Sequence, residues 1–86
     1  MNTIELLRCS LEVAEALGYG VRQEWLAGAA GGRCEIGGKK WLFVDLSLTA
    51  SEQLEQVTDA LAEDPAIHTL TLPAPLQPYF GIRKSA

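Results

Sequence analysis

Apolar residues recur at Ile4, Leu7, Leu11 and Ala14, widened by Leu6, Val13 and Leu17, while Glu5, Arg8, Glu12 and Glu15 fall on the other side. That period predicts an amphipathic helix over Asn2 to Leu17. Asn2 followed by Glu5 fits a capping box at its start, and Gly18 supplies a left-handed stop. From Tyr19 to Leu26 the period becomes two, with Val21, Gln23 and Trp25 alternating with Arg22, Glu24 and Leu26, as in a strand.

Ala27 to Gly32 reads as a small, glycine-rich loop. Arg33 to Ile36, the pair Gly37 and Gly38, and Lys39 to Leu46 then form a hairpin, because adjacent glycines accept the positive φ angles of a two-residue turn. Its register places Ile36 opposite Lys39, Glu35 opposite Lys40 and Cys34 opposite Trp41. A cross-strand attraction of Glu35 to Lys40, worth roughly 0.2–1 kcal/mol, explains Glu35 without chemistry. Trp41 to Leu46 is nearly all apolar, which predicts a strand buried on both faces at the centre of the sheet. Trp41 and Phe43, two apart, are expected to share a face beneath a helix.

Thr49 and Glu52 form a second capping box, and Leu54, Val57 and Leu61 carry a helix that Asp64 and Pro65 end. Ile67 to Leu72 is read as a last short strand. Pro73, Pro75 and Pro78 then forbid a long regular element, so residues 73–86 are expected to form a loosely docked tail. The predicted fold class is α+β in the order αβββαβ, a mainly antiparallel sheet with its helices on one face, in a single domain of residues 1–86.

The 86 residues carry seven Lys and Arg against eleven Asp and Glu, a net charge of −4. This argues against general binding to nucleic acid or anionic membranes, which rests on clustered positive charge. The excess acid falls on the outer faces of the two helices. Acidic residues also interrupt the first apolar run, so it matches neither a signal peptide nor a membrane span, and a cytoplasmic location is expected. Cys9 and Cys34 are too few for a disulfide framework and are read as reduced, buried thiols.

Several arrangements bear on chemistry. The glycines from Gly28 to Gly32 precede a strand, whereas phosphate-binding loops open a helix. The element order is similar to that of PD-(D/E)xK nucleases, but neither Glu35 nor Asp45 is followed at the required spacing by a lysine. It also resembles double-stranded RNA-binding domains, whose basic second helix is here replaced by one bearing Glu52, Glu55, Asp59 and Glu63. Asp59 and Glu63, one turn apart, read first as a solvated acidic face, and His68, the one histidine, as a structural or surface residue.

A hairpin strand from Gly38 running into a helix that opens Thr-Ala-Ser-Glu-Gln and ends at Glu63, entered through Gly18 to Val21, resembles the strand–helix segment of ImmA/IrrE-type zinc metallopeptidases. The resemblance covers residues 18–63. Gln53, Val57 and Leu61 fall on similar positions. The histidine positions of the His-Glu-x-x-His motif, however, are occupied by Asp59 and Glu63, and its glutamate position by Ala60. Zinc on such a helix needs two imidazoles one turn apart and a carboxylate base. The resemblance thus implies a related scaffold without the peptidase chemistry.

The expectation is a non-catalytic protein-interaction domain, self-associating or bound to another protein, with no cofactor and no metal. Its interaction surface is drawn from Trp25, Leu26, Leu76, Tyr79 and Phe80, because so small a domain leaves much of its apolar surface uncovered. The alternative is a hydrolase or metal-dependent enzyme whose Asp45, Asp59, Glu63 and His68 come together on folding or through a second subunit.

Overall fold

A computed structural model describes residues 1–81 of the protein. The Asn2 side chain accepts the Glu5 N–H at 2.8 Å and the Glu5 carboxylate accepts the Asn2 N–H at 3.2 Å. This reciprocal cap starts α1 (Thr3–Ala16). The Thr49 and Glu52 pair does the same for α2 (Ala50–Ala62). Between the helices run β1 (Gly20–Glu24), β2 (Gly32–Ile36) and β3 (Lys39–Asp45). Gly37 and Gly38 take φ of 59° and 81°, and the hairpin register is Ile36 to Lys39, Glu35 to Lys40 and Cys34 to Trp41, as the two-residue turn requires.

β3 lies at the centre of the three-stranded sheet, which is ordered β1-β3-β2. The sheet is mixed, which corrects the mainly antiparallel expectation. β2 pairs with β3 antiparallel, but β1 runs parallel to β3 because the hairpin folds back to insert β3 between the two earlier strands. The fold is α+β. No strand forms from Ile67 to Leu72. Asp64 instead caps a 3-10 helix, Pro65–Thr69, by accepting the Ala66 N–H at 2.9 Å, and Pro65 presets its first φ. One such turn places Ile67 and Leu70 on the same side, and Ile67 is fully buried.

The tail also departs from expectation. Ala74–Phe80 form a second 3-10 helix, closed by Gly81 at φ 69°, and its Leu76 and Phe80 are 0% and 5% exposed. Prolines at the start of this segment are compatible with the short helix because their missing N–H groups have no partner there to lose. Residues 82–86 of the expected tail lie outside the described residues.

Leu7, Val13 and Ala14 of α1, Leu42 and Val44 of β3, and Leu54, Val57 and Leu61 of α2 join Tyr19, Ile67, Leu72, Leu76 and Phe80 in one core cluster. Because strand side chains alternate, burial of Leu42 and Val44 turns Trp41 and Phe43 to the opposite side of the sheet. They are only half-buried there. The expected place beneath a helix is therefore taken by the aliphatic pair. No helix among the described residues is long and apolar enough to cross a membrane.

Candidate functional site

The four residues named for an enzyme do different work. Asp45 ends β3 and is 1% exposed. Its Oδ1 accepts the N–H of Leu26 at 3.0 Å and the N–H and hydroxyl of Ser47 at 2.9 and 2.7 Å, while Oδ2 accepts the Gly28 N–H at 2.9 Å. Burial alone pushes this carboxyl up, but the Ser47 hydroxyl and the three N–H donors together outweigh it and bring the pKa down to about 2. Oδ1 thus holds both the loop after β1 and the turn into α2, and Oδ2 holds the loop. Ala27 adopts φ 52° between two of these donors, an unusual conformation that the paired contacts at Leu26 and Gly28 hold in place.

Asp59 of α2 and Glu63, which caps the helix C-terminus, lie exposed and, with Arg33 and Gln56, line an open groove of about 480 Å³ beside β2. Neither Asp45 nor His68 forms a wall of it. His68 is exposed on the first 3-10 helix. Among the described residues no three His, Cys, Asp or Glu side chains gather in a metal-holding group. The four candidates are not brought together.

A polar cluster that the sequence did not announce sits behind β2. The Tyr19 hydroxyl donates to Asp64 Oδ2 at 2.7 Å and accepts from Arg33 Nη1 at 3.3 Å. Lys40 Nζ donates to the Leu17 carbonyl at 2.8 Å, stands 3.5 Å from Asp64 Oδ2 and lies 4.6 Å from the centre of the Tyr19 ring. The Tyr19 hydroxyl and the Ala66 N–H hold the Asp64 carboxyl below its usual range, with Lys40 adding to them, whereas burial pushes the Tyr19 phenol up. Forty-five positions separate Tyr19 from Asp64, so no local spacing could reveal the pair. It joins the end of α1 to the end of α2. Tyr19→Phe is expected to lower stability by about 1–2 kcal/mol, read from urea unfolding, because a buried acceptor loses its neutral donor while Ala66 and Lys40 still satisfy it in part. An unchanged midpoint would show that the cluster does not support the fold.

The other side of the sheet carries Trp41, Phe43, Cys34 and Ile36 with Arg22 and Lys39 beside them, and these aromatic rings lie outside the core that the helices cover. The strand register sets Trp41 between Gly20 and Cys34, Phe43 between Arg22 and Gly32, and Lys39 beside Ile36. A Cβ on Gly20 would come within 2.7 Å of the Trp41 ring, so the glycine lets the indole lie across β1. Lys39 Nζ approaches to 5.0 Å from the Trp41 ring centre, and the Trp41 and Phe43 rings stand 6.5 Å apart. Ile36 is 56% exposed. Beside Phe43 a depression of about 440 Å³ is walled by Leu26, Ala30 and Cys34.

Of the five residues expected at an interaction surface, Trp25 is 72% exposed, Tyr79 is exposed and Leu26 is half-buried. Leu76 and Phe80 belong to the core, which removes them from that surface. Trp41, Phe43, Ile36 and Cys34 were missed as surface residues, although the alternation along β3 carried the signal. Both cysteines are free, but Cys34 is exposed and not buried as expected, since its strand lies at the sheet edge. No protein-family model, curated protein or solved structure matches the chain.

Proposed function

We propose that the protein is a non-catalytic binding domain that acts by protein contact through the uncovered side of its sheet. The observation that carries this reading is the Trp41, Phe43 and Ile36 surface, continued by Leu26 in the depression beside Phe43. Aromatic groups that are half-buried in the free protein lose their remaining water on contact and supply much of the energy of small interfaces. Lys39 and Arg22 lie at the margin of this surface, where charged groups steer a partner and stay wet.

The resemblance of residues 18–63 to the metallopeptidase segment supports a shared strand–helix scaffold and no more, since Asp59, Ala60 and Glu63 stand where the zinc chemistry belongs. Asp45 is occupied with the loop it anchors, which leaves the hydrolytic alternative without its strand-end carboxylate. The test is a photo-cross-linking side chain installed at Ile36, compared with one at Glu55 on the exposed face of α2, in the cells that make the protein. Discrete adducts from Ile36 and none from Glu55 are expected. Equal or absent labelling at both positions would overturn the reading.

A further inference from the structure

We propose that the partner includes a second copy of this chain, joined through the free edge of β2 in one antiparallel register centred on Cys34. The inference rests on the contact reading above and names one of its occupants. β2 is an edge strand whose residues 33–36 are all exposed. Its backbone directions follow from the hairpin. The two-residue turn makes Ile36 and Lys39 a hydrogen-bonded pair, so Ile36, Cys34 and Gly32 point their N–H and C=O groups at β3. Arg33 and Glu35 therefore point theirs outward, as an unpaired ladder.

Two copies meeting across a two-fold axis must match outward residues with outward residues. Three registers do so. Centring on Arg33 sets two guanidinium groups face to face, and centring on Glu35 sets two carboxylates face to face, both repulsive. Centring on Cys34 sets each Arg33 against the other copy's Glu35, forming four backbone hydrogen bonds and two opposite-charge pairs. It also carries the apolar side of one sheet into that of the other, next to Cys34 and Ile36. Arg33 and Glu35 lie on the opposite side, that of Leu42 and Tyr19, where one of the five Arg33 N–H donors is on Tyr19 and others are left for a carboxylate.

The β1 edge offers a weaker match. The Leu46 N–H donates to the Glu24 carbonyl, so even-numbered residues of β1 face β3 and Val21 and Gln23 face outward. The symmetric register that pairs those two sets Arg22 against Arg22, and the one centred on Gln23 forms only two backbone hydrogen bonds within the strand, half the number of the Cys34 register. Arg22 is also already bonded to Glu24 of its own chain at 2.6 Å.

The register has a chemical signature. Cys34 faces its copy in a non-hydrogen-bonded pair, whose Cα atoms lie about 4.5 Å apart, inside the roughly 4.4–6.8 Å that a disulfide spans. The thiols are separate in the reduced protein, and diamide supplied in the experiment takes up the two hydrogens when the sulfurs join. Sedimentation of the reduced full chain from about 1 µM to 1 mM should show a monomer–dimer equilibrium. Arg33→Glu and Glu35→Arg, both at exposed positions, should each weaken it at least about tenfold. Mixing the two variants should restore dimers, because each then offers the other its opposite charge.

Diamide should cross-link the wild-type chain and Cys9→Ser but not Cys34→Ser, and Arg33→Glu only slowly. A monomer at every concentration overturns the proposal, as does cross-linking of Arg33→Glu at the wild-type rate or a mixture that stays monomeric. If Ile36 still captures another protein in cells while the chain is monomeric, the dimer fails and the contact reading stands. No capture at Ile36 removes the contact reading itself.

Discussion

Leu42→Ala is expected to destabilise the protein by about 2–5 kcal/mol and to lower Tm by at least about 10 °C. Leu42 is fully buried on the central strand, between the two neighbouring strands and against the residues that α1 and α2 contribute to the core. Truncation removes three carbons from a site whose walls come from separate elements, so no single side chain can move in to close the space. Trp25→Ala provides the contrast. Although the tryptophan is larger, it is 72% exposed, and its loss should change stability by no more than about 0.5 kcal/mol. Thermal melts of the two variants separate the side chains that hold the fold from those available to a partner. A large loss for Trp25→Ala would place that indole in the core.

Asp45→Asn should lower Tm at pH 7 on the order of 10 °C. The new amide keeps the shape of the carboxylate but turns an N–H₂ group toward N–H donors that an oxygen now satisfies, leaving buried groups without acceptors. The same residue sets the acid limit of the fold. Its native pKa of about 2 lies below the ordinary 3.8, so its contribution is fully present above that ordinary value and is lost as pH falls toward 2. Asp64, also held low, adds to the loss in the same direction. Wild-type stability should be flat from about pH 7 to 5 and fall steeply between about pH 4 and 2, and Asp45→Asn should show a shallower fall. Identical acid profiles would mean that the carboxylate's contacts are not maintained in solution.

The two helices were legible because each has a capping box and an apolar stripe, and the hairpin because adjacent glycines fix its turn. The parallel pairing of β1 was not, since nothing local to a strand says which neighbour it will have. Ile67 to Leu72 misled for a related reason. Its alternation resembles a strand, but Asp64 and Pro65 start a tight turn and the core takes Ile67 from it. Asp45 and Ser47 form a legible Asx turn, whereas the Leu26 and Gly28 donors lie 19 and 17 positions earlier in the chain and meet Asp45 only because β1 pairs with β3. The candidate surface was half legible: exposure of Trp25 was expected, but the buried places of Leu76 and Phe80 depend on a 3-10 helix that the prolines concealed.

Hydrogen exchange along β2, recorded residue by residue in the reduced protein at low and high concentration, tests most directly whether this domain pairs with a second copy along the open edge of its sheet. The amides of Cys34 and Ile36 face β3 and should be slow at both concentrations. The outward amides of Arg33 and Glu35 should exchange fast when dilute and slow several-fold when concentrated. Fast exchange at Arg33 and Glu35 at every concentration would contradict the account.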